Sequence, residues 1–135
     1  INRAMPLHVV ERVGDLLNLS QVPLKNAPLL VLGVAYKKDI DDLRESPALE
    51  VIEHLVARGS KVSYTDPYVS EIRMKGFQLK SEALTSSLLK RQKCVLILTD
   101  HAAFDYKLVV NNAALILDTR NALRKFHPRK NLHFL

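Results

Sequence analysis

Apolar residues near the start of the chain recur at Met5, Val9, Val10, Val13, Leu16 and Leu17, which are the i, i+4, i+8 and i+12 rows of one helical face. The spacing predicts an amphipathic helix over residues 5–17, one that packs on something outside this short chain. Pro23 and Pro28 then bracket a polar loop, and Leu29-Leu30-Val31-Leu32 runs to Gly33 without a polar residue. A run that is apolar on both faces predicts a central strand of a parallel sheet. Ser46-Pro47 puts a side-chain oxygen at an N-cap and Pro at the first helical position. Ala48, Leu49, Ile52, Leu55 and Val56 then repeat with helical period until Gly59 supplies a stop. Residues 61–65, with Val62 and Tyr64 alternating, predict a second strand ending in Asp66-Pro67. Residues 29–66 therefore read as a βαβ unit with parallel strands and a right-handed crossover.

Weaker signals continue the alternation. They predict a short helix near 69–74, a short strand or loop over 76–80, and a helix marked by Leu84, Leu88 and Leu89. A buried strand over 94–98, a short helix over 104–110 and a strand over 115–117 follow. Strands alternating with helices predict a doubly wound, three-layer α/β structure, in which ligands bind outside the carboxyl ends of the strands. Those ends are residues 33–37, Asp66-Pro67, Thr99-Asp100-His101 and Asp118-Thr119-Arg120. No internal repeat, heptad array or linker divides residues 21–135.

Composition narrows the class. The chain has 135 residues, 47% hydrophobic and 25% charged, with 4 Gly and 6 Pro, which excludes disorder and low-complexity sequence as its main description. Its apolar stretches fall far short of the roughly 20 residues of a membrane-spanning helix, so a soluble protein without a membrane partner is expected. Cys94, the one cysteine, makes no internal disulfide and has no Cys/His cluster around it, so neither zinc nor another metal is expected. A reducing, cytoplasmic setting fits. The start lacks the charged and apolar regions of a signal peptide, and the missing initiator Met suggests a piece of something longer. The net charge is +6, and after Asp118 the cations Arg120, Arg124, Lys125, Arg129 and Lys130 have no acid among them. Such an end suits phosphate of any kind, on a nucleotide or a nucleic acid, or simply solubility.

The most informative segment is residues 33–47, a strand-to-helix loop much longer than usual. It has one Gly where a dinucleotide fingerprint has three, so NAD is not expected to bind here in the usual way. Lys37, Lys38 and Arg44 offer charge instead, and the helix beginning at Pro47 offers a positive dipole end with unpaired N–H groups. A diphosphate is a reasonable guest. The competing reading pairs Lys37 and Lys38 with Asp39, Asp41 and Asp42 on a solvated loop.

These residues carry a resemblance. Leu32-Gly33-Val34-Ala35-Tyr36-Lys37, Asp42-Leu43-Arg44-Glu45-Ser46-Pro47-Ala48-Leu49, Gly59 and Tyr64-Thr65-Asp66-Pro67 resemble the C-terminal domain of the UDP-glucose/GDP-mannose dehydrogenase family. Asn2 with Met5-Pro6 is similar to the end of that family's central helix, and Asp118-Thr119-Arg120-Asn121 to its late Asp-x-Arg motif. The likeness runs over nearly the whole chain and is greatest to UDP-N-acetylhexosamine and UDP-glucose 6-dehydrogenases.

The resemblance implies residues 1–20 as the end of a central dimerisation segment and residues 21–135 as a C-terminal Rossmann-like domain that binds a UDP-sugar. It implies an enzyme of polysaccharide biosynthesis that oxidises the sugar C6 alcohol to a carboxylate, with two hydride transfers to two NAD and a covalent intermediate on a cysteine. The NAD fingerprint and the glycine-rich segment of that cysteine are absent from this sequence, so no catalytic residue is expected here and the piece alone is expected to be inactive. NAD would be bound mainly by a separate N-terminal domain, and a homodimer or higher oligomer is implied.

Carried onto this sequence, Lys37 meets the diphosphate or sugar, Tyr36 walls the sugar nucleotide, and Arg120 meets the uridine ribose or a nearby phosphate. Arg44 faces the NAD side of the cleft. Local alternatives stay open: Tyr36 facing the core, and Arg44 paired with Glu45 or Asp42. Cys94 reads as strand filler, because a thiolate nucleophile needs an exposed, electropositive setting. Asp66 stands where dinucleotide folds keep a ribose-binding acid, but Asp-Pro favours a turn. His101 lines the cleft or, preferably, belongs to a helix cap begun by Asp100. Two other classes compete. One is a basic nucleic-acid-binding module using residues 120–130, disfavoured because only Phe126 stands among the charges. The other is a purely structural dimerisation domain.

Overall fold

A strand that is apolar on both faces has to be covered twice, and this requirement organises the computed structural model, which describes residues 4–39, 43 and 46–135. In chain order the elements are α1 (Met5–Leu19), β1 (Pro28–Leu32), α2 (Pro47–Ala57), β2 (Lys61–Thr65), β3 (Glu71–Met74), β4 (Phe77–Lys80), α3 (Ser86–Lys90), β5 (Cys94–Ile97), α4 (Tyr106–Asn112), β6 (Ile116–Asp118), a 3-10 turn (Arg124–Phe126) and β7 (Leu132–Phe134). Strands β2-β1-β5-β6-β7 form one parallel sheet in that order. Leu29 and Val31 of β1, with Cys94 and Leu96 of β5, enter the core under α1 and α2. Leu30 and Leu32, with Val95 and Ile97, enter the core on the opposite face with α3 and α4. This is the three-layer, doubly wound, Rossmann-like α/β arrangement, preceded by an N-terminal helix.

Helix α1 behaves differently from expectation. Its apolar row does not pack outside the chain. Val9, Val13, Leu16 and Leu17 are buried with Val51, Ile52 and Leu55 of α2 in the first core. One eleven-residue helix leaves much of that sheet face uncovered, and each further buried Val or Leu is worth roughly 1.5–3 kcal/mol. Helix α2 starts at Pro47 as its sequence indicates, and ends with a Schellman pair: Gly59 N–H donates to Val56 C=O (2.9 Å) and Ser60 N–H to Leu55 C=O (3.1 Å).

Two further expectations are corrected. The helix expected near 69–74 is instead the first strand of an antiparallel hairpin, with Met74 paired to Phe77 across the Lys75-Gly76 turn. In Glu71-Ile72-Arg73-Met74 the apolar positions alternate with period two. The short basic end also contains an element the pattern did not reveal. β7 pairs in parallel with β6, and the Arg124 guanidinium lies 4.5 Å from the Phe134 ring centroid while Lys125 and Arg129 lie over Phe126. Much of the tail's charge is therefore folded against the rings of Phe126 in the 3-10 turn and Phe134 in β7.

The registers Leu32↔Thr65, Leu32↔Ile97 and Ile97↔Asp118 bring the carboxyl ends of β1, β2, β5 and β6 level at one edge. The chain runs from β2 on one side of β1 to β5 on the other, so the crevice beside β1 is the topological switch point. Gly33 makes this crevice tight. Its φ is +85°, and a Cβ there would lie 2.5 Å from both Thr99 Cβ and the Thr99 carbonyl oxygen. Gly33→Ala is expected to cost roughly 2–4 kcal/mol, from left-handed strain plus overpacking, as read by urea unfolding.

Candidate functional site

Past Gly33 the backbone leaves the sheet while still buried, so its polar groups need partners from elsewhere. Four side chains supply them. Asp66 Oδ2, at the end of β2, accepts the N–H of Val34 (2.8 Å) and of Ala35 (3.3 Å). Ser46 Oγ donates to Val34 C=O and Thr99 Oγ1 to Ala35 C=O, both at 2.6 Å. Ser46 therefore occupies the N-cap position of α2 without making a side-chain cap bond, contrary to the capping expected of it. His101 closes the set: its Nε2 lies 2.9 Å from Asp66 Oδ2, and both side chains are fully buried.

The tautomer of His101 follows from its other nitrogen. Nδ1 accepts the Asp39 N–H at 2.7 Å, so the proton of the neutral ring is on Nε2 and donates to Asp66. Asp39, at φ 63°, also accepts the Ala102 N–H on Oδ1 at 2.7 Å. Asp66 completes its own valence by accepting the Tyr68 N–H on Oδ1 at 2.8 Å, the turn its Asp-Pro step indicated. Its carboxylate is thus occupied by protein donors rather than presented to a ribose. His101 is not part of a helix cap, for Asp105 caps α4 by accepting the Leu108 N–H at 3.1 Å.

On the other side of the crevice the buried Asp118 makes a second turn of the same kind. Oδ1 accepts the Arg120 N–H (2.9 Å) and Oδ2 the Leu123 N–H (2.8 Å). The turn presents Arg120, whose guanidinium reaches Asp100 Oδ1 at 3.4 Å and Leu98 C=O at 3.5 Å while its side chain stays 39% exposed. Nearby Tyr106 donates from its hydroxyl to His101 C=O at 2.7 Å. Burial first, then the negative charges of Asp100, Asp118 and Asp39, hold that phenol well above its usual range.

A cleft of about 100 Å³ lies beside the second turn, lined by Tyr36, Pro47, Leu98, Thr119 and Arg120 among others. The structure therefore brings Tyr36 and Arg120 into one cavity beside the first turn of α2. Tyr36 is half-buried there and belongs to neither core. Lys37 is exposed, with Nζ 6.0 Å from the Tyr36 ring centroid. Among the described residues neither Lys37 nor Lys38 has an ion-pair partner. Arg44, with its alternative partners Asp42 and Glu45, lies outside the described residues, as do Asp41 and Asn2.

A larger cavity of about 430 Å³ opens on the opposite face, but among the described residues Asp66, Glu82 and Asp105 are its only charged lining groups, so it does not suit an anion. Cys94 is fully buried in β5, and burial pushes its thiol up to about 12, which keeps it protonated and unreactive at neutral pH. No group of His, Cys, Asp or Glu among the described residues could hold a metal ion.

Comparison with known proteins was made on this framework. Residues 30–125 match the family model described as UDP-glucose/GDP-mannose dehydrogenase family, UDP binding domain. The chain is 32% identical over 133 residues to a UDP-glucose 6-dehydrogenase of Rickettsia bellii, covering 91% of this chain and 30% of that protein. It is 29% identical over 133 residues to a UDP-N-acetyl-D-mannosamine dehydrogenase of Methanococcus vannielii, covering 91% and 29%. A solved UDP-D-ManNAc dehydrogenase from Pyrococcus horikoshii aligns at a TM-score of 0.78 and 25% identity, over 98% of this chain and 30% of that one. The chain thus spans about 30% of the length of the relatives it matches.

Building residues and exposed residues should separate cleanly in stability. Asp66→Ala strands three backbone N–H groups and an imidazole N–H in the interior, and is expected to cost roughly 3–5 kcal/mol in urea unfolding. Lys37→Ala, at an exposed and unpaired position, is expected to change stability by less than about 0.5 kcal/mol.

Proposed function

This chain belongs to the UDP-glucose/GDP-mannose dehydrogenase family, and we propose that it grips the nucleotide end of a UDP-sugar in an NAD-dependent UDP-sugar 6-dehydrogenase. The observation that carries the reading is the cleft at the carboxyl edge of the sheet, where Tyr36 and Arg120 share one cavity with the start of α2 and an unpaired Lys37 stands beside them. A diphosphate needs cations it can reach: Lys37 has no ion-pair partner among the described residues, and Arg120, although paired with Asp100 at 3.4 Å, keeps its side chain 39% exposed. Lys37 supplies a mobile point charge, and Arg120 a planar fork able to donate to two oxygens at once. The Asp100 contact holds that fork at the cleft without covering it. Tyr36 offers a flat wall for the sugar or base.

In the proposed enzyme the sugar C6 alcohol is oxidised to a carboxylate as two hydrides pass to two NAD, giving a UDP-uronic acid. The described residues of this chain do not fit NAD. Gly33 spends its one unusual torsion packing against Thr99, and the acid at the end of β2 is fully bonded within the protein. Cys94, buried and protonated, is no nucleophile. The chain's part is to hold and orient the substrate while the hydride chemistry proceeds on residues outside it, with Arg44 as the side chain that would face the dinucleotide. A cytoplasmic homo-oligomeric enzyme of polysaccharide synthesis, paired through the segment that includes α1, is the setting we assign. No described helix is long and apolar enough to cross a membrane.

The experiment is calorimetric titration with UDP and UDP-sugars, alongside thermal melting. Loss of one charge-assisted contact is worth about 1.5–3 kcal/mol, so Lys37→Ala and Arg120→Ala are each expected to weaken UDP binding roughly 10- to 100-fold, while Cys94→Ser binds as wild type. UDP at about 100 times its Kd should add about 2.7 kcal/mol of stability, and single-stranded DNA at moderate salt none. Wild-type affinity in both charge variants would defeat this assignment.

A further inference from the structure

We infer that His101 is a positioning residue for the substrate loop, and that it holds that loop only while its ring is uncharged. The inference rests on the reading above that residues 36–38 meet the ligand. It starts from where the imidazole bonds. Through Nε2 and Asp66 it is connected to the N–H groups of Val34 and Ala35, the entry of the loop. Through Nδ1 it takes the N–H of Asp39, at the far side of the same stretch. One buried ring therefore clamps both ends of residues 34–39, and Tyr36, Lys37 and Lys38 are suspended between the anchors. The Asp39 carboxylate reinforces the second anchor by accepting the Ala102 N–H.

The clamp is specific to one protonation state. A proton added at Nδ1 would point at the Asp39 N–H, donor against donor at 2.7 Å, and that bond is lost. The groups facing the ring define what happens next. Asp66 already accepts from Nε2, and the Asp39 carboxylate stands 4.0 Å from Nδ1 as the nearest new acceptor. The Tyr68 and Phe104 rings lie at 4.8 and 5.5 Å, and the Tyr106 hydroxyl bonds the His101 carbonyl rather than the ring. A protonated Nδ1 would repel the Asp39 N–H and compete with the Ala102 N–H for the Asp39 carboxylate, so both bonds that hold Asp39 are weakened together. Acid therefore unfastens the far end of the loop that carries Lys37.

Amide hydrogen exchange by NMR, corrected for the intrinsic rate, tests the clamp without any ligand. In the wild type, protection of the Asp39 amide is expected to fall at least tenfold as the ring is protonated, a step followed independently by the NMR shifts of the His101 ring itself, while amides inside β5 keep theirs. This measurement requires no variant to fold. Two substitutions then divide the ring. His101→Gln reaches the Nε2 position and keeps the bond to Asp66 but offers Asp39 nothing, so Asp39 should be unprotected at every pH. His101→Asn reaches the Nδ1 position and should retain Asp39 protection with the pH dependence gone.

UDP titrations should follow the same order, with affinity lowered about tenfold in His101→Gln and close to wild type in His101→Asn. The wild-type-to-Asn comparison cancels the titration of the ligand's own phosphate. An Asp39 amide equally protected in wild type and His101→Gln, or unchanged in the wild type when the ring is seen to be protonated, overturns the clamp. If the clamp behaves as described but wild type binds no UDP, it is the reading of the ligand that fails.

Discussion

Parallel strands all finish on the same side, so the backbone that leaves them together has to find hydrogen-bond partners where the ladder stops. In this protein the buried carboxylate of Asp66 carries most of that load. It accepts from Val34, Ala35, Tyr68 and His101, joining the ends of β1, β2 and β5 through one side chain. Four donors compensate a charge that the interior would otherwise refuse. Asp118 repeats the device at the end of β6 with Arg120 and Leu123. The binding edge is thus built by acids facing inward, while Lys37 and the Asp100-paired Arg120 stay exposed.

That division separates what a substitution does to stability from what it does to recognition. The larger cavity near Thr65 and Phe104 exceeds the cleft several-fold in volume, yet carboxylates are the only charged groups at its wall. The smaller cleft has the guanidinium, the aromatic wall and a nearby unpaired ammonium. Charge rather than size distinguishes the two, because an anion must recover its lost hydration from specific donors.

Much of this was legible in the residues alone. Leu29–Leu32 had to be central because it has no polar face. Ser46-Pro47 and Gly59 bounded α2 to the residue, and Tyr36, Lys37 and Arg120 stood at ends of predicted strands. What escaped depended on tertiary context. The alternation in Glu71-Ile72-Arg73-Met74 is too short for period to decide, so the sequence suggests a helix for the first strand of the hairpin, though a strand or loop for the second. β7 has three residues at the end of a basic stretch and becomes a strand by pairing with β6. The His101–Asp66 bond spans 35 positions, and neither residue has a neighbour in sequence that hints at the other. Ser46 carried a capping signal that was right about the helix boundary, but its hydroxyl went to Val34, where a buried carbonyl needed it more.

β7 also determines what surrounds the cleft. The Leu135 N–H continues the edge by donating to Asp118 C=O at 3.2 Å, and the Leu135 side chain lines the same cavity as Arg120, with Met5 from the first turn of α1 opposite. Met5, in the first turn of α1, and Leu135, next after β7, therefore both stand at the wall of that cavity. A reporter dye or cross-linker attached at Met5 or at Leu135 would sit against the same space as the guanidinium and sense its occupancy directly.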